Sequence, residues 1–581
     1  MSSTSTNGSA SAAGTTTAAA RRTVKQHPNS HLNNPSSLNL LQIHEASHRQ
    51  FVRLLQALQN TRKEAPAALI FDDFTYELIL RIVPECRPAL IDIVANINQA
   101  ELCIEQRSVD VVIFAVAPSP ANMKRIATVI RKFTSDQRDF HLINVPRETT
   151  VSSIILKEED VASEIRSQHE WRVNVIPLDP DLMTMHKPHV FRQYMVDNDR
   201  SSFKDIALAI MHIQRMYGII PRVAYKGPAA AAVTRMLQRM AREDADPPHV
   251  APEIESLVII DRQIDCVTPL CSQLTYEGLI DEVYGINLGF ATVPSALVPD
   301  TPPEQKTRRV VLNSSVQLFN DLRGLHWLQV GPLLARRSKM LRQDVSEGKG
   351  SLNELTRMAQ FSSKLHHIKA EQKFLPIHTN IATELKKILT TDEFMQNYHT
   401  QHAILGIQSQ GRMFKMPSFF KRGGDAEMAY IEDCIGRVEP LSKVLRLLCL
   451  RSLVNGGLKQ STLDFFRREI LQTYGSDFVL TLDNLTKAGL LTTHNPERAT
   501  FPHLSREFRL IEDVPDDDSQ LDDYHFTYMG YAPLSIRVVE ELVKPDRTGL
   551  ITKDEVLKLM PGPHDEWRQP LPPGLQPKGR G

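Results

Sequence analysis

The stretch "SLVIIDRQIDCVTPLCSQLTYEGLIDEVYGI", beginning at Ser256, ends an apolar run in Asp261 and Arg262 and then adds Asp265, Glu277, Asp281 and Glu282. Carboxylates at the carboxyl end of a buried strand could hold a metal, because open α/β sheets place their ligands there. On that reading Asp261 and Asp265 would serve a metal-dependent hydrolase or transferase. Arg262 lies between them and would compete with the metal, and nothing nearby supplies a phosphate cradle or a nucleophile. The structural reading is preferred: Arg262 is a buried cation paired with a carboxylate of a neighbouring segment. Tyr276, Leu279, Ile280, Val283 and Tyr284 then stripe the next helix into the core, since ion-pair networks also cluster charge away from catalytic sites.

Three other ligand sets can be weighed in the same way. "HEASH" sets His44 and His48 four apart on a helix beside Glu45, a spacing that can hold zinc with the glutamate as base. A catalytic site needs a third protein ligand, which the short pattern does not identify. These residues therefore read as polar positions on a half-buried helix. Cys266 and Cys271 have no histidine or third cysteine near them in sequence and read as buried free thiols. His366 and His367 point to different sides of a helix, so with His378 they read as helix polar positions. The chain has no G-x-x-x-x-G-K-[ST], no G-x-S-x-G and no C-x-x-C, and no G-x-G-x-x-G follows a strand.

The elements that must carry these residues alternate. "AALIFDD", "VDVVIFAV", "DFHLINVP", "WRVNVIPLD" and "SLVIID" are strand-length apolar runs separated by helical stretches, which predicts parallel sheets covered on both faces. Leu41, His44, Phe51, Leu54, Leu55 and Leu58 recur at near-helical spacing. "SSFKDIALAIMHIQRMYG" predicts a helix capped by Ser201 or Ser202, striped by Ile206, Ile210, Ile213 and Tyr217 and stopped at Gly218. "GFATVPSALVPDTPPEQ" reads as a proline-rich connection, and from about Ser314 to Tyr474 the pattern is helical. "EPLSKVLRLLCLRSLVNGG" opens at Pro440, shares Leu441, Val444, Leu445 and Leu448 on one face, and stops at Gly456-Gly457. "YHFTYMGYAPLSIRVVEELV" reads as strand, turn and helix.

Composition sets the class. Lys plus Arg and Asp plus Glu number 68 each, so no global charge calls for nucleic acid or an anionic membrane. Six cysteines in 581 residues argue for a reducing compartment. The first residues carry no hydrophobic signal region, and 1–37, rich in small polar residues, reads as a disordered tail rather than a transit peptide. The segment 405–424 contains no acid and sets Arg412, Lys415, Lys421 and Arg422 beside Phe414, Phe419 and Phe420. It reads as a mobile loop, with anionic lipid or an acidic partner as the sharper alternative.

The stretch from Ser256 closely resembles the signature of the Sec/Munc (SM) family: an apolar strand, D-R-x-x-D, a T-P-L turn and a Y-E-x-L-x-D helix. The matching positions are Asp261, Arg262, Asp265, Thr268, Pro269, Leu270, Tyr276, Glu277, Leu279 and Asp281. "YIEDCI", "KVLRLLCL", "REILQTYG", "LTLDNLTKAGLL", "GYAPLSIR" and "MPGPHDEWRQPLP" point to its vacuolar-sorting branch. The resemblance covers roughly 65–575. It implies a three-domain arch: two parallel-sheet α/β domains with a large all-α insert, and no enzymatic activity or cofactor. The expected division is 38–138 for the N-terminal α/β domain, 139–286 with 479–581 for a discontinuous α/β domain, and 287–478 for the helical insert.

The same resemblance implies a SNARE-binding regulator of vesicle docking and fusion. It would be the SM subunit of the HOPS and CORVET tethers, peripheral on late endosome and lysosome membranes and docked on a partner's α-solenoid. A tether scaffold without SNARE contact is the other non-enzymatic alternative. The resemblance points to the helix from Ser461 to Tyr474 for docking. There Leu463, Phe466 and Ile470 can fill the core, which turns Phe465 partly outward beside Lys459 and Arg468, the composition of an interface hot spot. Family members continue past "RQPLP" with a further apolar strand, so an exposed sheet edge is expected in the second domain.

Overall fold

The computed structural model describes residues 38–59, 67–83, 93–106, 109–134, 138–299, 302, 304–350, 355–407, 425–513, 523–543 and 553–571. The tail 1–37 and most of the 405–424 segment lie outside the described residues, as do the side chains of His366 and His367.

The first sheet is wholly parallel, with β1 (Ala67–Phe71), β2 (Ile93–Asn96), β3 (Val111–Val116), β4 (Asp139–Asn144) and β5 (Ile165–Glu170) in the order β2-β1-β3-β4-β5. Every residue of β1 and β3 is buried, as continuous apolar runs between two helical layers require. Two expectations fail here. The boundary at 138/139 falls inside this sheet, because β4 begins at Asp139 and pairs with β3. The run from Trp171 is strand only from Ile176, where β6 (Ile176–Asp179) pairs antiparallel with β7 (Leu182–Thr184) in a separate ribbon. Trp171 instead fills the core: its ring lies 4.2 Å from Phe51, and its Nε1 donates to the Ser47 carbonyl at 3.0 Å. Ser47 and Phe51 belong to α1 (Leu41–Gln59). The buried stripe of α1 is Ile43, Ser47, Phe51, Leu55 and Leu58, while Leu41, His44 and Leu54 are only half-buried.

The second sheet joins distant segments. β8 (Arg222–Lys226) pairs parallel with β9 (Ser256–Ile260), and β13 (His564–Arg568) returns to pair antiparallel with β8, from His564 opposite Lys226 to Arg568 opposite Arg222. Among the described residues β9 pairs only with β8, so it forms one edge. Lys226 is fully buried and donates to the carbonyls of Met560 and Gly562, tying the returning segment to the sheet. Burial pushes its ammonium down to about 8.

The proline-rich connection is itself structured. β10 (Ile286–Asn287), β11 (Phe290–Pro294) and β12 (Thr307–Val311) form an antiparallel sheet. Long helices follow, and one continuous core runs from the β8 region through this body to Met560. Helix 201–217 ends at Gly218, as expected, but neither serine caps it. Asp199 accepts from Ser201 N at 2.8 Å, and Ser202 is buried within the first turn.

Candidate functional site

The signature stretch is where the layers meet. Asp261 closes β9 and is 6% exposed. Its Oδ2 accepts from Ala229 N at 2.8 Å and its Oδ1 from Gln263 N at 3.1 Å. Ala229 lies in the first turn of α2 (Pro228–Glu243), whose own cap position, Gly227, offers no side chain. Gly227 sits at φ +110°, and a Cβ there would meet the Asp261 Cβ at 2.3 Å, so only glycine lets the aspartate reach the helix end.

Asp265 does the same for another helix. It is 2% exposed and accepts from Thr268 N at 2.9 Å, Thr268 Oγ1 at 2.6 Å and Ser535 N at 2.8 Å. Ser535 stands in the first turn of a helix spanning Leu534–Val543. Both carboxylates therefore serve as N-terminal helix caps, where free N–H groups and the helix dipole favour an anion. Each oxygen of the two aspartates is taken by a donor within the fold, which gives the metal reading no support.

The expectation for Arg262 is overturned. Its side chain is exposed, it makes no ion pair among the described residues, and its Nη1 donates to the Asp265 carbonyl at 3.2 Å. The aspartates are satisfied by N–H donors, so no buried cation is needed between them. Pro269 is exposed in a 3₁₀ turn. Cys266 and Cys271 donate to the Arg262 and Val267 carbonyls, and burial pushes both thiols up, Cys266 to about 11. They remain protonated, unlike thiolate metal ligands.

The helix after the turn, α3 (Tyr276–Tyr284), is capped by Thr275 and packs between β11 and the helix Leu355–Leu389. Tyr276 is 1% exposed and its hydroxyl lies 3.0 Å from His378 Nδ1. Glu277 takes both arms of Arg323 at 2.8 and 2.9 Å, and Arg323 also reaches Asp179 at 2.7 Å and Ser314 Oγ at 2.8 Å. Burial works against the Arg323 charge, but the Glu277 and Asp179 carboxylates outweigh it and raise its pKa. Asp281 accepts from Ile286 N at 2.8 Å. Arg446 donates to the Leu270 carbonyl at 2.7 Å and pairs with Glu282.

The other candidate sites are also taken up by structure. His44 Nε2 lies 3.2 Å from the Arg81 carbonyl, and Glu45 is exposed. Among the described residues no group of three or more His, Cys, Asp or Glu is arranged to hold a metal ion. In the first sheet the direction of winding reverses between β1 and β3, the usual ligand crevice of such folds. Asp72 closes that point by accepting from Thr75 N, Ala117 N and Asn122 Nδ2 at 3.0, 3.2 and 2.7 Å.

The surface singled out on the later helix remains open. In the helix Gln460–Tyr474, Leu463, Phe466 and Ile470 are buried, and Phe465 is half-buried with its ring 5.2 Å from that of Phe466. Phe465 lines a groove with Met428 and Ala429. Lys459 and Arg468 are exposed and make no ion pair among the described residues.

Comparison with known proteins gives a consistent result. A family model described as the Sec1 family matches residues 67–573. The chain is 36% identical over 484 residues to vacuolar protein sorting-associated protein 33A of Rattus norvegicus, covering 80% of this chain and 77% of that protein. It is 31% identical over 537 residues to the vacuolar protein-sorting-associated protein 33 homolog of Arabidopsis thaliana, covering 92% and 85%. In fold it is similar to the SM protein Vps45 in complex with the Qa SNARE Tlg2, at a TM-score of 0.54 and 16% identity over 88% of this chain and 89% of that one.

Proposed function

The chain belongs to the Sec1 family, and on that premise we propose that it is a non-enzymatic, SNARE-binding regulator of vesicle docking and fusion in endosome-to-lysosome transport. The observation that carries this reading is the family match across 67–573, joined by two relatives named for vacuolar sorting. The solved neighbour bound to a Qa SNARE supports the same class of partner. The signature carboxylates, spent on helix caps, support a binding role over a catalytic one.

The mechanism is templating. Helices Trp327–Gly350 and Leu355–Leu389 form a long antiparallel pair in the helical body. Such a pair can hold SNARE segments in register and lower the entropic cost of assembling a four-helix bundle. Within the hub, Asp261 closes β9 of the second sheet and Tyr276 meets His378 of the second of these helices. The chain acts as the SM subunit of the HOPS and CORVET tethers, peripheral on late endosome and lysosome membranes. Lys459, Phe465 and Arg468 form part of the surface that meets the tether's solenoid subunit.

The test is binding of the full purified chain to the cytosolic domain of a Qa SNARE and to the solenoid subunit, followed by a liposome fusion assay. Binding to both, with faster fusion, is the expected result. Solenoid binding without SNARE binding or a fusion effect would reduce the protein to a tether scaffold, and no binding to either would overturn the reading.

A further inference from the structure

The strand that leads into Asp261 is open along one side. Among the described residues β9 pairs only with β8, and all of Ser256–Ile260 is half-buried. Its two faces are covered. Val258 and Ile260 lean on the large core that runs to Met560, and Leu257 and Ile259 pack with helix 201–217 and α2. The remaining exposure therefore runs along the edge.

The phase of the backbone gives that edge its chemistry. Asp261 N donates to the Lys226 carbonyl at 3.0 Å. Bonding alternates along a parallel ladder, so Leu257 and Ile259 also turn their N–H and C=O groups to β8. Ser256, Val258 and Ile260 turn theirs outward, where no backbone group of the described residues meets them. Such a row is a template for another strand, and sheets commonly blunt it with charge, proline or a bulge. The edge strands β5 and β13 carry charge, Arg166 and Glu170 in one and Asp565, Glu566 and Arg568 in the other. β9 has none of these devices, and its register with β8 is unbroken.

The edge is complementary to itself. A two-fold axis through Val258 sets this residue against its own copy, Ser256 against Ile260, and Leu257 against Ile259. The outward residues then meet as bonded pairs and exchange about six hydrogen bonds. No charge enters the ladder, since Asp261 turns its carboxylate inward onto Ala229 N. Basic and acidic residues number 68 each, so two copies carry no net repulsion. We propose that β9 is a self-association edge, through which two copies of this chain join antiparallel into one sheet in the order β13-β8-β9-β9-β8-β13. A short edge makes a small interface, so the dimer dissociates at about 1–100 µM.

The experiment is sedimentation velocity of the full chain from about 0.5 to about 200 µM, which spans that range, with amide exchange at both ends of it. A shift from monomer to dimer is expected, with exchange in 256–260 slowing as concentration rises and exchange in 111–116 unchanged. Val258→Pro removes the central outward N–H and no bond to β8, so it should weaken association tenfold or more at an unchanged melting temperature. If Val258→Pro lowers the melt, Val258→Lys sets like charges together at the axis and should weaken association as much. A chain that stays monomeric throughout overturns the proposal: slow exchange in 256–260 then means that another segment of the same chain covers the edge, and fast exchange leaves it to a different protein. A dimer that survives both variants, with exchange in 256–260 independent of concentration, uses another surface and overturns it as well.

Discussion

Asp265 and Arg262 sit three residues apart in one motif, yet they do opposite work. Asp265 is buried and holds Thr268 and Ser535, whereas Arg262 is exposed and touches one carbonyl. Removing an acceptor strands buried donors at about 1–3 kcal/mol, so Asp265→Ala should lower stability by about 3 kcal/mol. Arg262→Ala, a surface change, should stay within about 0.5 kcal/mol. Urea unfolding of both variants checks this, and the reverse order would refute the capping account. The strand-end carboxylates were legible in the sequence, but their donors were not. Ser535 lies 270 residues beyond Asp265, and no local pattern announces such a pair. The expected pairing of Arg262 with a carboxylate of a neighbouring segment rested on its place directly after an apolar strand, and the turn there points its side chain to solvent instead.

Helices are legible in the sequence where one face is apolar, and strands are obscure where neither face is. Leu463, Phe466 and Ile470 fill the core as their spacing demands, and Phe465 turns half outward. The strand "RVAYK" escaped notice because its ends are Arg222 and Lys226, and Lys226 is buried only through carbonyls supplied from Met560 and Gly562. The strand "IRSQHE" escaped because, as a sheet edge, it exposes polar side chains. Helix ends followed glycine at Gly218 and Gly475. The helix ending at Gly436 departs from that rule with Val438 in the left-handed region. Glycine fits that conformation, so Val438→Gly should raise stability by about 1 kcal/mol, despite the looser unfolded chain. Thermal unfolding measures it, and a loss of stability would show that the Val438 side chain packs rather than strains.

At the scale of the molecule, three neutral histidines sit in the joints between the sheets and the helical body. His378 meets Tyr276, His326 bridges to Thr275 and meets the Phe526 ring edge-on, and His402 lies against Tyr398. Burial pushes His326 and His378 down to about 4 and His402 to about 3. The unfolded chain takes up these protons near 6.5 while the folded chain does not, so the stability they allow is fully present above 6.5 and is lost as pH falls toward 4. Between pH 7.5 and 5.5 each histidine should cost about 1.3 kcal/mol, or about 4 kcal/mol for the three. Urea unfolding across that range should give a falling free energy with proton uptake at the acid end, to which His141, His186, His212 and His399, also lowered by burial, add. The loss should appear first as opening of the joints, since all three residues lie there and none lies in the five-stranded sheet. Hydrogen exchange at pH 5.5 would then rise in 272–284 and 375–405 before it rises in 111–116, the β3 strand, which carries no histidine. A flat profile between pH 6.5 and 5.5 would mean that the folded joints bind these protons as readily as the open chain does.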